Sequence, residues 1–282
     1  YFGRLVKTDM RFPAYLHHGM FCVKGFIVDV PHYANRTVHV MIDTGAETSV
    51  CIGGNDGMHT VCLLAGNKEY CIDDVFFISP QKEGEPMFED LVLLGMNFLA
   101  RVNSVRFSLR ASNRYFEIDP RLRKGSQKME VNINKGPKRG RQFNQLMRKG
   151  HIVPLLEMLY VVDPDCECVK DDSCPRSYDV VGVLDTGSAV TTQNTGKRWG
   201  KDETVPGASI DRWDGERVQM DALPDACVGV GSDVVRVDVQ IPTTKYSKLS
   251  FIGTDMMERM GAVTLFDIGD MRYNKKPTVY VG

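Results

Sequence analysis

The stretch Val183-Leu184-Asp185-Thr186-Gly187-Ser188-Ala189-Val190 places one carboxylate at the end of an apolar run and follows it with Thr and Gly. Nearly the same phrase occurs earlier in the chain, as Met41-Ile42-Asp43-Thr44-Gly45-Ala46. An apolar strand that runs into Asp and Gly presents a side chain from a rigid element to a cleft, because Gly permits a sharp turn or a close approach of another segment. The two copies indicate an internal repeat in which each half of the chain supplies one such carboxylate.

Each phrase has a partner further along the chain, in which two apolar residues precede a Gly. The partners are Leu93-Leu94-Gly95-Met96-Asn97-Phe98-Leu99 and Phe251-Ile252-Gly253-Thr254-Asp255-Met256-Met257. A hydroxyl residue also stands at the same position after each aspartate, as Ser49 and Thr191. This paired pattern resembles the aspartic proteases of the retropepsin and pepsin families, and its first-half partner is most similar to retropepsins of retroviral and retrotransposon type.

The resemblance covers nearly the whole chain and implies an all-β fold. That fold is a bilobal, pepsin-like acid protease made of two retropepsin-like β-barrel lobes, with the active site between them. The N-terminal lobe would span residues 1–120 and the C-terminal lobe residues 151–282, which also carry the flap. A basic interlobe linker, residues 121–150, would join the lobes.

The two halves also look alike in their strand pattern, with short β-type segments and little helical periodicity. A good hairpin turn, Ala65-Gly66-Asn67-Lys68, separates two first-half segments. The predicted β-type segments of the first half are 19–30, 36–42, 59–64, 69–78 and 91–99, with a closing hairpin over 105–118. Those of the second half are 151–162, 179–184, 226–230, 234–241, 249–257 and 263–268.

The two aspartates, Asp43 and Asp185, are the predicted catalytic residues of a single site. Peptide hydrolysis by this route needs a base that takes a proton from water and an acid that protonates the carbonyl oxygen. Two close carboxylates cannot both ionise, so they share one proton and supply both groups. We therefore expect one aspartate to be protonated and the other ionised, with the reacting water between them.

The resemblance implies supporting roles for the residues that follow the aspartates, namely Thr44, Gly45, Ala46, Thr186, Gly187 and Ser188. The two threonine hydroxyls would reach into the opposite loop, and the two glycines that follow them would let the loops approach each other. Gly95 and Gly253 would lie beneath these loops, where a side chain would collide with the turn that bears the aspartate.

Only the second half has enough chain for a hairpin flap over the site. Residues 208–220 place Asp214-Gly215, a strong hairpin turn, between two strand-like arms, with Trp213 at the tip. Trp213, Asp214 and Gly215 are therefore predicted to contact substrate. The alternative is that Trp213 packs in the core of its own lobe and the hairpin is a surface connection. In the first half, residues 51–58 are too few for a second flap.

The basic segment and the cysteines leave alternatives open. Residues 121–150 are rich in Lys and Arg and contain Glu130 as their one acid. They are predicted to be a mobile, solvated linker, and contact with nucleic acid or an acidic partner is the alternative.

The chain has eight cysteines, and the spacing from Cys166 to Cys174 lacks the paired pattern of a structural zinc site. Buried or loop thiols are expected, with disulfides or a metal site as alternatives.

The composition is that of a soluble globular protein, with 43% hydrophobic and 25% charged residues and no apolar run long enough to span a membrane. The sequence begins at Tyr1 without an initiator Met, which indicates a fragment or processed product; localisation is left open, with a weak preference for the cytoplasm. No serine-hydrolase elbow, zinc-protease helix or phosphate-binding loop is present.

The predicted function is an aspartic endopeptidase that cleaves extended, apolar peptide segments as a monomer, without cofactor, metal or membrane. One alternative is a catalytically silent protease-fold module that binds peptide, protein or RNA. Another is a tandem protease that must dimerise through its edge strands.

Overall fold

The computed structural model describes residues 10–33, 36–51, 55–79, 90–102, 104–121, 127–129, 155–161, 177–193, 204–211, 217–230, 233–243, 250–268 and 278–282. Over these ranges the chain is all-β, as predicted. The strands up to the basic segment are β1 (Met10–His17), β2 (Met20–Ile27), β3 (Val38–Ile42), β4 (Ser49–Val50), β5 (Gly57–Ala65), β6 (Lys68–Ile78), β7 (Leu91–Leu94), β8 (Ser104–Ser108) and β9 (Tyr115–Ile118).

The remaining strands are β10 (Gln127–Met129), β11 (Leu155–Val161), β12 (Ser177–Leu184), β13 (Val205–Asp211), β14 (Arg217–Val230), β15 (Asp233–Pro242), β16 (Ser250–Ile252), β17 (Ala262–Phe266) and β18 (Thr278–Val281). A 3-10 turn covers Pro31–Tyr33, and two short helices are α1 (Met96–Leu99) and α2 (Thr254–Met260).

The first half contains a closed six-stranded barrel in the order β2-β3-β7-β4-β6-β5, which the β2–β5 pairing closes. Alternate residues of β3 (Val38, Val40 and Ile42) are buried in the core, which sets the register of this strand. The strand β3 runs parallel to β7. Parallel strands end at the same edge of a sheet, so Asp43, which follows β3, lies near Gly95, which follows β7.

The second half repeats this arrangement around its own aspartate. The strand β12 runs parallel to β16, and Asp185 and Gly253 follow these two strands. The sheet order is β13-β14-β11-β12-β16, and β15 pairs with β14. The internal repeat seen in the sequence therefore corresponds to two parallel strand pairs, each of which ends beside an aspartate and a glycine.

Strands from both halves of the chain pair in one sheet, in the order β10-β18-β17-β8-β9-β1. The first-half strand β8 is antiparallel to the second-half strand β17. A buried ion pair crosses this sheet, with Arg106 Nη1 at 2.9 Å from Glu117 Oε2. Arg106 Nε also donates to Thr264 Oγ1 of the second half at 3.1 Å, so a buried polar contact joins the halves.

The basic segment 121–150 contains a strand among its described residues. Residues Gln127–Met129 form β10, which pairs antiparallel with β18 from Gln127↔Val281 to Met129↔Val279. Apart from Arg121, the other residues of this segment lie outside the described part, so the linker remains a prediction there.

Several strand boundaries differ from expectation. The strands β1 and β18 were not predicted. The segments 91–99 and 249–257 were interpreted as β-type throughout, but each contains a strand, a Gly and a short helix. In the first of these segments the strand ends before Gly95. The next residues form one turn of helix, which buries the side chains of Met96, Phe98 and Leu99 in the core. The expected hairpin around Gly66 is present as β5 and β6.

The cysteine prediction holds for Cys22, Cys51 and Cys227, which are buried thiols. It is wrong for Cys62 and Cys71, which form a disulfide. These two residues are cross-strand partners in the β5–β6 hairpin with a Cα–Cα distance of 4.0 Å, a proximity that the hairpin register creates. The remaining three cysteines, Cys166, Cys168 and Cys174, lie outside the described residues.

Candidate active site

Two matching backbone hydrogen bonds hold the predicted catalytic aspartates at the strand ends. The N–H of Asp43 donates to the carbonyl of Leu94 at 2.9 Å, and the N–H of Asp185 donates to the carbonyl of Ile252 at 3.0 Å. Each bond continues a parallel ladder past the last residue of β3 or β12. The main chain of each aspartate is thus part of a rigid sheet, which limits the movement of its carboxylate.

The structure brings the two aspartates together from opposite halves of the chain. A Cβ placed on Gly45 would lie 2.4 Å from Cγ of Asp185, and one placed on Gly187 would lie 2.4 Å from Cγ of Asp43. Real side chains do not tolerate such distances, so each glycine permits the close approach of the opposite carboxylate. This is the spatial relation that the resemblance implied for these glycines.

Two buried threonines join the loops through crossed hydrogen bonds. Thr44 Oγ1 donates to the carbonyl of Leu184, and Thr186 Oγ1 donates to the carbonyl of Ile42, each at 2.5 Å. Each hydroxyl oxygen also accepts the N–H of the other threonine at 3.1 Å. Four hydrogen bonds therefore relate the two halves symmetrically, and every polar atom of the two hydroxyls is used.

Backbone N–H groups surround both carboxylates. Asp43 Oδ1 accepts the N–H of Gly45 at 2.8 Å and that of Ala46 at 3.0 Å. Asp185 Oδ1 accepts the N–H of Gly187 at 3.0 Å. The Ser188 hydroxyl donates to the carbonyl of Val190 at 2.8 Å, a contact within its own loop. The backbone N–H groups of Ala46 and Ser188 have matching roles, since each donates to the carboxyl group of the aspartate in its own loop.

Burial raises the pKa values of both carboxyl groups. It raises the pKa of Asp43, although the N–H groups of Gly45 and Ala46 oppose that change. It raises the pKa of Asp185 well above its usual value, and the nearby charge of Asp43 adds to the effect. The pair therefore retains a proton at pH values where an isolated aspartate is ionised.

Gly95 and Gly253 lie beneath the two loops, as expected. A Cβ on Gly95 would lie 2.8 Å from the carbonyl oxygens of Ala46 and Thr48. A Cβ on Gly253 would lie 2.4 Å from the carbonyl oxygen of Val190. Both collisions are with backbone, so a side chain at either position would displace the loop above it.

Two further polar residues, Asn97 and Asp255, support the loops and were missed in the sequence. Ser49 Oγ accepts the N–H of Gly95 at 3.1 Å and donates to Asn97 Oδ1 at 2.7 Å. In the second half, Thr191 Oγ1 accepts the N–H of Gly253 at 3.1 Å and donates to Asp255 Oδ1 at 2.7 Å. Their signal was the matching position, because each stands two residues after the glycine of its motif.

The turn between β1 and β2 also contacts the second-half loop. Thr254 Oγ1 donates to the carbonyl of Gly19 at 2.5 Å, and the N–H of Phe21 donates to the carbonyl of Thr186 at 3.1 Å. The β1–β2 turn of the first half thus stabilises the second-half loop that carries Asp185. The sequence carried no signal for this contact, since β1 itself was not predicted.

The arms of the predicted flap pair as a hairpin. The strands β13 and β14 are antiparallel from Val205↔Ala222 to Asp211↔Arg217, with an irregularity between Pro206 and Ser209. The predicted tip residues Trp213, Asp214 and Gly215 lie outside the described residues. Within residues 55–79 of the first half, the one hairpin is β5–β6, whose strands belong to the barrel.

Among the described residues, no group of three or more His, Cys, Asp or Glu side chains could hold a metal ion. In the same part of the chain, no helix is long and apolar enough to cross a bilayer.

A comparison with protein-family models finds no match to this chain. A search of curated proteins finds no relative with significant similarity.

Proposed function

We propose that this chain is an aspartic endopeptidase of the retropepsin and pepsin type. It hydrolyses peptide bonds in extended, apolar segments by means of water activated between Asp43 and Asp185. The observation that carries the proposal is the reciprocal contact of the two Asp-Thr-Gly loops. Gly45 and Gly187 admit the opposite carboxylates, and crossed threonine hydrogen bonds hold the loops in that position.

In the proposed reaction, Asp43 and Asp185 share one proton, so one of them is an acid and the other a base. The ionised carboxylate removes a proton from the water, and the water oxygen attacks the carbonyl carbon of the peptide bond. The protonated carboxyl gives its proton to the carbonyl oxygen, so negative charge does not build up there. The proton taken from the water then passes from the first carboxyl to the peptide nitrogen as the C–N bond breaks. A hydroxyl of the tetrahedral adduct returns a proton to the second carboxylate, which releases an acid and an amine and restores the shared proton. Burial raises the pKa of both carboxyl groups, so the pair holds one proton between them, and the aspartate that carries it is the acid while the other is the base.

A small apolar cluster beside Asp43, of which Ala46 and Val50 remain partly exposed, supports a preference for apolar peptide side chains. Asp43 directly follows β3 and lies on the same face as Met41, because residues two apart in an extended segment point the same way. On that face Met41 and Leu93 are buried in a small apolar cluster, against which Ala46 and Val50 pack. Apolar groups next to the reacting carboxylates also lower the local polarity, which strengthens the interaction between the two carboxylates.

The pairing of β8 with β17 supports a bilobal arrangement with one site per chain. It places strands from both halves in one sheet, while the two aspartates meet at the ends of β3 and β12. A single chain then supplies both catalytic groups, so we propose that the enzyme acts as a monomer. The β13–β14 hairpin is proposed as its flap.

The test is hydrolysis of a peptide library by wild type, Asp43→Asn and Asp185→Asn. Each single variant is expected to lose activity by several orders of magnitude, and the double variant to lose little more, because the two carboxylates act as one unit. Asp73→Asn, an exposed aspartate on β6, is the matched control and should retain wild-type turnover.

Near-normal turnover of either single variant would refute the shared site. Wild-type protein that binds a statine-type peptide but cleaves none would instead identify a silent binding module.

A further inference from the structure

The two aspartate loops have matched supports that differ in chemistry. In the first half, Asn97 accepts a hydrogen bond from the hydroxyl of Ser49. In the second half, Asp255 accepts one from the hydroxyl of Thr191. The hydroxyl in turn accepts the N–H of the glycine that lies beneath the loop. One support is an amide without a titratable proton, whereas the other is a carboxyl group that can be protonated.

Asn97 uses both ends of its amide. Its Oδ1 accepts the N–H and the O–H of Ser49 at 2.9 and 2.7 Å. Its Nδ2 donates to the carbonyl of Phe76 at 2.6 Å, which connects the loop to β6 of the barrel. A carboxylate at this position would set its negative charge against the Phe76 carbonyl, so the first-half support requires a donor.

Asp255 has the opposite requirement, because its hydrogen-bond partners among the described residues are all donors. Oδ2 accepts the N–H of Thr191 at 2.9 Å. Oδ1 accepts the hydroxyl of Thr191 and the N–H of Met256, both at 2.7 Å. An amide in either orientation would place an NH2 group against one of these N–H groups. The second-half support therefore requires two acceptor oxygens, as an ionised carboxylate provides.

We propose that Asp255 is a positioning residue for Asp185 and that it holds the second-half loop only as a carboxylate, whereas Asn97 holds the first-half loop at every pH. The connection runs from Asp255 through Thr191 to Gly253, directly after Ile252, whose carbonyl accepts the N–H of Asp185. Its kinetic consequence depends on the proposed peptidase function. The hydrogen-bond requirement does not.

Asp255 can exchange protons with solvent because it lines an open cavity of about 560 Å³ beside Val190. The charged groups around that cavity are Glu258 and Arg259 of α2, Asp225 of β14, and Arg236 and Asp238 of β15. Arg236 pairs with Asp225 at 2.6 Å, and Glu258 pairs with Arg114 at 2.5 Å.

The balance of these surroundings lets Asp255 take up a proton at a higher pH than an exposed aspartate does. Burial raises the pKa of Asp255, while the donors of Thr191 and Met256 and the charge of Arg259 oppose the rise. As pH falls, the carboxylate form is lost and one acceptor oxygen becomes a donor. The placement of Asp185 should then weaken on the acid side for a reason separate from the titration of the dyad.

The experiment compares full-length wild type with Asp255→Asn and Asn97→Asp. Near pH 6.5, Asp255→Asn should lower kcat about tenfold with little change in KM, since the loss of one buried hydrogen bond is of that order. The ratio of wild-type to variant kcat should shrink toward one as pH falls to 4, because wild type then loses its own carboxylate. Active-site titration with a statine-type inhibitor normalises each value to folded enzyme.

The reciprocal variant tests the same logic in the first half. Asn97→Asp should be impaired near neutral pH and recover as pH falls, because a protonated carboxyl can again donate to the Phe76 carbonyl. Ser49→Thr keeps the hydroxyl and is the matched control, whose kcat relative to wild type should not vary with pH.

Wild-type kcat in Asp255→Asn, or a ratio that is constant from pH 4 to 7, would overturn the proposal. A second measurement needs no catalysis and no variant: the amide NMR signals of Thr191 and Gly253 in wild type should titrate in the acid range. Signals that stay fixed there would overturn it even if no peptide were cleaved. If these signals titrate but the protein cleaves no peptide, Asp255 would still position the second-half loop, and the proposed peptidase function would be rejected.

Discussion

The carboxyl group of Asp185 lies partly buried beside a second carboxyl group, and this has a consequence for stability. Its pKa in the folded protein is well above its usual value, so folding favours the protonated form. The stability associated with this group is complete below the unfolded pKa of about 3.9 and is lost as pH rises through the folded pKa. At neutral pH the dyad therefore lowers the free energy of unfolding.

Asp185→Asn removes this penalty with an uncharged side chain of nearly the same shape. The Tm of the variant at pH 7 is expected to exceed that of wild type by a few degrees, since about 1 kcal/mol shifts the Tm of a protein of this size by roughly 2–4 °C. The difference should vanish as pH approaches 3. Thermal unfolding from pH 3 to 8 measures it, with Asp73→Asn as the exposed control. A Tm at pH 7 equal to or below that of wild type would show that the dyad does not lower stability.

At the scale of elements, the β13–β14 hairpin is the proposed flap, and its paired arms support the role. A cover excludes water from the carboxylates and holds the peptide extended, so it contributes to positioning. Trp213→Ala is expected to lower kcat/KM about tenfold with a Tm within roughly 2 °C of wild type. Loss of a core tryptophan would instead cost about 3–5 kcal/mol. A large fall in Tm with normal turnover would place Trp213 in the core and remove it from the flap.

For the whole molecule, the pairing of β10 with β18 divides the basic segment into two parts with different expected roles. Shortening residues 130–150, with enough chain left to connect β10 to β11, should leave kcat/KM within about twofold, because that part offers no apolar face to bury. Removing residues 127–129 as well should lower Tm, since a ladder of the joined sheet is lost. Peptide turnover and thermal unfolding of both deletions measure this. Loss of activity in the first deletion would show that residues 130–150 have a structural role.

The sequence by itself determined the all-β class, the repeat, the hairpin at Gly66 and the positions of Asp43, Asp185, Gly95 and Gly253. These features depend on local properties, namely period-two burial and the backbone freedom of glycine, which leave a signal within a few residues. The two Asp-Thr-Gly phrases, through their resemblance to aspartic proteases, were also enough to predict a carboxylate pair.

Only the tertiary structure decided which residues hold that pair in place. Asn97 and Asp255 act through hydroxyls far away in the chain, and the turn at Gly19 reaches the loop of Asp185 across the two halves. The Cys62–Cys71 disulfide and the β10–β18 ladder likewise depend on strand register and on which strands become neighbours. A hydrogen bond or a strand pairing between distant segments leaves no local periodicity in either segment, so folding alone brings such partners together.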